Sequence, residues 1–371
     1  VKHPLTRGAA LVAGTATALA VVAAGTPAVA GTADKQQAAA DWLAGELDGG
    51  LAVGSYTDQQ GATVEYDDYG LSIDTGLALR AQGLKARKIA KISDALAGAV
   101  DSYTRGDEYD PEGVYAGPTA KLASFVVRTG GDPAAFGGVD LVERLEGLVA
   151  TQAPVAGRLQ DSSSYGDYAN TIGQAFAAQA LQSVGAEQAA PVTSYLLQQQ
   201  CEVGYFRLSF AAADAPEQGC DADPGDPEQG ADVTALVVLN LLEIEDPSAE
   251  VRTAVDDATA WLVSQQSDGG AFDGGPDAGV NSNSTGLAGW ALGEAGVCGK
   301  AQGAAQWVKK QQAGGRDKAL AQEKGAIAYD RAAFLTGKKK GITSAKADQW
   351  HRATAQAAPA LENLRKVECK A

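Results

Sequence analysis

The sequence predicts an all-α protein in which six pairs of helices close into a double ring, six inner and six outer. Three observations predict it. Apolar residues recur at helical spacing along the chain, and no segment sustains the two-residue alternation of a half-buried strand. Two helix classes alternate strictly. One is bulky and ends near Gln or Glu; the other is rich in Ala and Gly and opens with Asp, Asn or Thr. Finally, one turn unit recurs, best preserved in Trp261-Leu-Val-Ser-Gln-Gln-Ser-Asp-Gly-Gly-Ala-Phe272, and repetition of this kind marks a helical array. Small residues along the second class let those helices approach closely, which suits an inner ring with the bulkier class outside.

The chain opens on Lys2, His3 and Arg7, an apolar run from Ala9 to Gly25, and Thr-Pro-Ala-Val-Ala ending at Ala30. This is the three-part pattern of a secretory signal peptide, so residues 1–30 are expected to be removed and residues 31–371 to form one toroid domain. The run is too diluted with Ala, Gly and Thr for a membrane anchor, and no integral span is expected in the mature chain. Removing residues 1–30 takes away two basic side chains and no acid, which leaves 28 basic against 46 acidic groups, a net of −18. That balance excludes nucleic acid and anionic lipid as expected partners. The expected location is extracellular.

From Lys35 onward the predicted outer helices are 36–48 (Trp42, Leu43, Leu47), 86–103, 139–152 (Leu141, Leu145, Leu148), 188–200, 249–266 and 300–312 (Trp307, Val308). The predicted inner helices are 70–83, 117–130 (Thr119, Leu122, Phe125), 168–184, 232–244, 282–296 and 348–364. Residues 325–336 compete for the last inner position. The segment 348–364 is preferred, because Asp348, Thr354 and Gln356-Ala357 echo Asp167, Thr171 and Gln174-Ala175; Pro359 should kink it. Links from inner to outer helices are short. Links from outer to inner helices, such as 49–69, 201–231 and 313–347, are long, and long loops on one face of a rigid scaffold are where function usually sits. Four cysteines allow three pairings. In an alternating ring Cys298 and Cys369 follow inner helices on one face, while Cys201 and Cys220 share a loop on the other. Pairing within each face is therefore expected.

Gln265-Gln-Ser-Asp-Gly-Gly-Ala-Phe272 resembles the Gln-Trp motif of terpene cyclases, with Phe in place of Trp. Weaker copies are Leu47-Asp-Gly-Gly-Leu51, Gln198-Gln-Gln-Cys-Glu-Val-Gly-Tyr-Phe206 and Gln311-Gln-Ala-Gly-Gly315. With the alternating helices, they make residues 35–365 similar to the α/α toroid of the squalene–hopene cyclase and protein prenyltransferase superfamily. The resemblance implies the (α/α)6 fold, but that fold hosts unrelated activities. The superfamily's catalytic signatures are missing. The strings nearest to the cyclase acid Asp-x-Asp-Asp are Glu65-Tyr-Asp-Asp68 and Asp221-Ala-Asp-Pro224, and neither matches. The mature chain has a single histidine, His351, so the Asp, Cys and His zinc set of the prenyltransferases cannot be assembled. No metal and no cofactor is expected.

What remains is a collection of polar and aromatic residues at the long-loop face: Tyr66, Tyr69, Asp74, Tyr115, Tyr165, Tyr168, Asn170, Asn281, Asn283, Tyr329, Asp330, Asp348 and Trp350. Asp, Asn and Thr at helix starts cap free N–H groups, and that role accounts for many of them. Tyr clustered with Asp also suits a shallow mouth for a sugar or another polar ring. Asp68, Asp167 and Asp232 are the candidate catalytic carboxylates. The expected function is a non-catalytic extracellular binding or scaffold protein with a small-molecule or glycan ligand at this mouth. The competing reading is a carboxylate-dependent hydrolase, lyase or cyclase-like enzyme acting on a glycan or an isoprenoid-like substrate.

Overall fold

The computed structural model describes residues 27–222, 230–275 and 277–365. The inner helices are α2 (Tyr69–Ala81), α5 (Ala116–Arg128), α7 (Thr171–Val184), α9 (Gly230–Leu241), α11 (Ser282–Glu294) and α14 (Ser344–Ala357). Each packs on the next, and α14 returns to α2, so the ring is closed. The outer helices are α1 (Pro27–Gly45), α3 (Ala86–Ala97) with its short continuation α4 (Val100–Thr104), α6 (Leu141–Glu146), α8 (Ala189–Gln198), α10 (Ala249–Gln265) and α12 (Cys298–Lys309). The predicted order of six outer and six inner helices holds throughout. Small residues do bring the inner helices together: a Cβ on Gly286 would stand 2.3 Å from the Cα of Ala357 on the neighbouring helix.

The repeated turn is a three-way joint. The Gln266 side-chain amide donates to Gly270 O at 3.0 Å, within its own turn, and to Lys300 O at 2.9 Å, on the next outer helix. Gln200 does the same with Gly204 O and Ala254 O. Gln312 bonds Gly325 O and Lys35 O, joining the last outer helix to the first. The residue after each turn then hands its backbone N–H to a buried threonine on the following inner helix: Phe206 to Thr234, Phe272 to Thr285 and Ile327 to Thr354. Gly270 sits at φ +86°, and a Cβ there would lie 2.4 Å from Gly303 O on α12. In the last joint this glycine place falls to Gly325, ten residues beyond the predicted Gly314-Gly315 turn. An insertion carrying a 3-10 turn at Lys318–Leu320 separates the two.

Four features depart from the sequence expectation. Residues predicted as a loop form a small antiparallel sheet, β1 (Leu47–Asp48), β2 (Leu51–Thr57) and β3 (Thr63–Asp68), in register Ala52 to Asp68 and Thr57 to Thr63. Its second hairpin turns at Asp58, whose carboxylate accepts the N–H groups of Gln60 and Ala62. Strand β3 is exposed along most of its length, so no apolar alternation marks it. Within the predicted 313–347 loop lies a further helix, α13 (Arg331–Lys340), outside the ring and capped by Asp330. The last inner helix begins earlier than expected and ends at Ala357; a 3-10 segment, Pro359–Leu364, continues it, so Pro359 breaks the helix where a kink was expected. Helix α1 starts at Pro27, upstream of the expected cleavage point. Cys201 and Cys220 form a disulfide with Cα atoms 4.8 Å apart. Cys298 is also disulfide-bonded, while Cys369 lies outside the described residues, as do residues 1–26 of the predicted signal peptide.

His351 sits at the seam where the ring closes. Its Nε2 is 3.1 Å from Thr75 Oγ1 on α2, and its ring meets Trp42 of α1 edge-on at 5.8 Å. Burial lowers its pKa to about 4.

Two predictions follow from this packing. Gly270→Ala is expected to lower the unfolding free energy in urea by about 2–4 kcal/mol, because both the positive φ and the contact with α12 oppose a Cβ. Gly269→Ala, whose Cβ would meet nothing closer than Ser267 Oγ at 3.9 Å, should change it by less than about 1 kcal/mol; equal losses would reject the close approach as the cause. The second concerns acid. Above pH 6.5 His351 is neutral folded or unfolded. As pH falls toward 4 only the unfolded chain takes up the proton, so stability is lost across that window, by up to about 3 kcal/mol at ~1.4 kcal/mol per pKa unit. Stability measured against pH should fall less steeply between 6.5 and 4 in His351→Gln; an unchanged slope would refute it.

Candidate ligand mouth

The long links deliver the inner helices to one face with their N-termini outward, and most of the predicted site residues are found there. Asp68 caps α2 by accepting the Leu71 N–H, and its other oxygen pairs with Arg352 of α14. Arg352 also holds Asp348 at 3.0 Å, one turn earlier on its own helix. Asp74 pairs with Lys121 of α5 at 2.7 Å. Burial disfavours the charged form of Lys121, but the Asp74 carboxylate outweighs this and holds its pKa above the usual lysine value. Asp167 is committed on both sides: Oδ2 to Arg158 at 2.8 Å, Oδ1 to the N–H groups of Asp161 and Ala169. Asn170 and Asn281 cap α7 and α11.

Asp232 differs from the other mouth carboxylates. It lies in the first turn of α9 and has no basic partner among the described residues. Its Oδ1 is buried with no hydrogen-bond partner. Burial raises its pKa, and a hydrogen bond from Ser284 only partly offsets this. On neighbouring α11, Asn283 also keeps a buried Oδ1 without a partner. Tyr329 is close enough for the Asp232 charge to add to burial in raising its phenol pKa; its hydroxyl donates to Ala278 O, and its backbone carbonyl accepts the Ser282 N–H.

The other predicted tyrosines fall into three places. Tyr66 is exposed on β3 beside Tyr56. Tyr69 is half-buried against Tyr103. Tyr115 donates to Asp110, which also takes the hydroxyls of Ser163 and Ser164; these hydrogen bonds hold the Asp110 carboxyl below its usual pKa. Tyr165 and Tyr168 stand on the same loop, with Tyr168 Oη donating to Tyr165 O and Tyr165 Oη to Tyr109 O. With Tyr109 71% exposed, Tyr168 70% and Tyr165 58%, these three offer open ring faces to solvent. Trp350 is a correction: at 2% exposure it lies in the core, its ring packed on Gly337 of α13, because α13 covers that side of α14. Sequence reasoning missed Tyr109, Lys121, Arg158 and Arg352. Arg352 has a local signal in Asp348 four residues earlier, and Arg158 one in Asp167 nine residues on; the partners of Lys121 and Tyr109 arrive from separate segments.

One turn deeper along the same helix faces, the polar rim gives way to apolar side chains. Leu77 follows Asp74 and Leu287 follows Asn283, both buried; Leu236 below Asp232 is half-buried. The mouth is therefore a shallow polar rim over an apolar layer. Four of its carboxylates are ion-paired, and among the described carboxylates Asp232 is the one with a buried, unpartnered oxygen.

No family model and no curated protein matches this chain. Solved structures do. A type II terpene cyclase variant from Scytonema, in complex with geranylgeranyl dihydroxybenzoate as substrate, is 15% identical, with 90% of this chain and 97% of that chain covered and a TM-score of 0.60. An unsaturated glucuronyl hydrolase specific for heparin is 10% identical over 94% of this chain and 100% of its own, at 0.59. A protein from Actinoplanes is 18% identical over 90% and 99%, at 0.58. At these identities the likeness is one of fold, and the chain shares with these structures the α/α-toroid architecture that its Gln-Gln-Asp-Gly-Gly turns implied.

Proposed function

We propose that this chain is an exported α/α toroid that binds a small hydroxyl- or amine-bearing ligand, such as a glycan, at the N-terminal mouth of its inner ring, without turning it over. The observation that carries this is the division among the mouth carboxylates. Asp68, Asp74, Asp167 and Asp348 are each paired with a basic side chain. A double-displacement or water-activating mechanism needs two carboxyl groups free to exchange protons or attack; these four are held by cations, and among the described carboxylates Asp232 is the one with a buried oxygen left without a hydrogen-bond partner. Asp232 Oδ1 and Asn283 Oδ1, buried and unpartnered, are acceptors that a ligand's O–H or N–H groups would satisfy. The exposed rings of Tyr109, Tyr165 and Tyr168 add stacking faces for a sugar or another flat polar ring. Export is supported by the signal-like residues 1–30, the acidic balance and the Cys201–Cys220 disulfide. No described helix is long and apolar enough to cross a membrane.

A second reading is favoured by Asp232 itself. A carboxyl whose pKa burial raises, above the apolar layer of Leu236 and Leu287, has the character of an acid for an isoprenoid-like alkene. The similar type II terpene cyclase was solved with a geranylgeranyl substrate. Small molecules extracted from the chain purified from culture medium, and identified by mass spectrometry, separate the two. The binding reading expects a polar ligand recovered unchanged, and depleted about tenfold or more from Asp232→Ala, as loss of a buried hydrogen bond to a carboxylate implies. Cyclised hydrocarbon formed by the wild type but not by Asp232→Asn would establish the second reading. No ligand on either protein would remove the support for a mouth at this face.

A further inference from the structure

The opposite face of the ring carries a cavity of about 510 Å³, a size typical of small-molecule sites. It is built from the C-terminal ends of α2, α5, α9 and α11. Its charged side is a lattice. Arg80 donates Nε to Arg128 O at 2.6 Å and both terminal nitrogens to Glu243, at 2.7 and 3.0 Å. Arg128 donates Nη2 to the same carboxylate at 3.0 Å. Since α2 and α5 carry the arginines and Glu243 follows α9, the lattice joins the neighbours α2 and α5 and also spans the ring to α9. The other side is apolar, formed by Leu239, Leu242 and the half-buried Trp290.

One donor in this lattice has no acceptor. Arg128 Nε is buried and unpartnered on a side chain only 4% exposed, and Arg128 is one of the residues that line the cavity. A desolvated donor left open is costly, and a ligand acceptor would remove that cost. The lining charges cancel, with Arg80 and Arg128 set against Glu243 and Glu294. An anionic ligand would gain from the arginines but would face two carboxylates. The Trp290 indole offers a flat apolar surface.

From these features we propose that the cavity at the C-terminal ends of the inner helices is a second ligand site, which takes an uncharged, flat molecule bearing a carbonyl acceptor. The carbonyl oxygen accepts from Arg128 Nε and the ring system lies on Trp290. This site is separate from the mouth, and nothing in its argument depends on a ligand there.

Naphthalene-2-carboxamide is a suitable probe, with naphthalene-2-carboxylate as its charged counterpart, titrated into the full chain and followed by tryptophan fluorescence and saturation-transfer NMR. The expected result is saturable one-to-one binding of the amide. Affinity should fall about fivefold or more in Trp290→Leu and in Arg128→Lys, with the carboxylate weaker than the amide by a similar factor. Thermal unfolding of both variants checks that they remain folded; should Arg128→Lys not fold, Trp290→Leu alone decides. No saturable binding of either probe, or undiminished amide binding in folded Trp290→Leu, would overturn the site. Tighter binding of the carboxylate would overturn the uncharged class, and full affinity in folded Arg128→Lys would overturn the carbonyl contact.

Discussion

The ring depends on one repeated interaction, the side-chain amide of the glutamine that ends an outer helix. An amide buried between helices must have its donors met. In Gln200, Gln266 and Gln312 the same nitrogen serves two carbonyls, one in its own turn and one on the next outer helix. The turn can reach that helix because its glycine lets the backbone touch α12 without a Cβ between them, as at Gly270. The threonine of the following inner helix then captures the N–H that the turn leaves over. Three helices are thereby held at a fixed spacing by two side chains and a glycine. Removing either side chain strands a buried polar group, so the joint behaves as a unit and not as a sum of separate bonds.

The joint also decides how the two faces differ. Because every outer helix hands over to an inner one on the same side, all inner N-termini gather on one face and all inner C-termini on the other. Helix dipoles favour acids at the first and bases at the second. The residues follow: Asp68, Asp74, Asp232 and Asp348 lie at or near the starts of α2, α9 and α14, while Arg80 and Arg128 lie at the ends of α2 and α5. At Asp232 two effects oppose each other. The N-terminus of α9 favours the carboxylate, burial opposes it, and burial prevails because no cation stands beside it.

Much of this could be read in the chain. Helix order follows from apolar spacing and from the alternation of bulky with small residues, both of which are local. The Gln-Gln-Asp-Gly-Gly turn could be read as a joint because the needs for a positive φ and for a donor amide are chemical, not contextual. The hairpin at 51–68 could not: β3 buries too little to show a period, and the sheet rests on backbone pairing and an Asp58 turn. Nor could the neutralisation of the mouth. Asp68 and Arg352 are 284 residues apart in sequence and meet only because the last inner helix returns to the first. Asp232 was readable as a carboxylate at a helix start, but its isolation was not, since that depends on which cations the ring brings to the other acids.

That return is itself the feature most exposed to error in a repeat ring. The contacts between successive inner helices use small apolar residues of much the same kind, so they do not by themselves specify where the ring must stop. An array with such faces could equally add another unit, from the same chain or a second copy. The closing seam is different in kind. There His351 meets Thr75, Arg352 pairs with Asp68, and Trp42 Nε1 donates to Glu323. Each is directional, and each pairs side chains found only near the two ends of the ring. An additional unit in the seam would bury these polar groups without partners, which costs more than its apolar contact would return. The polar rim of the mouth is thus also part of the lock: Arg352 of the last inner helix reaches Asp68 at the start of the first because the ring has closed.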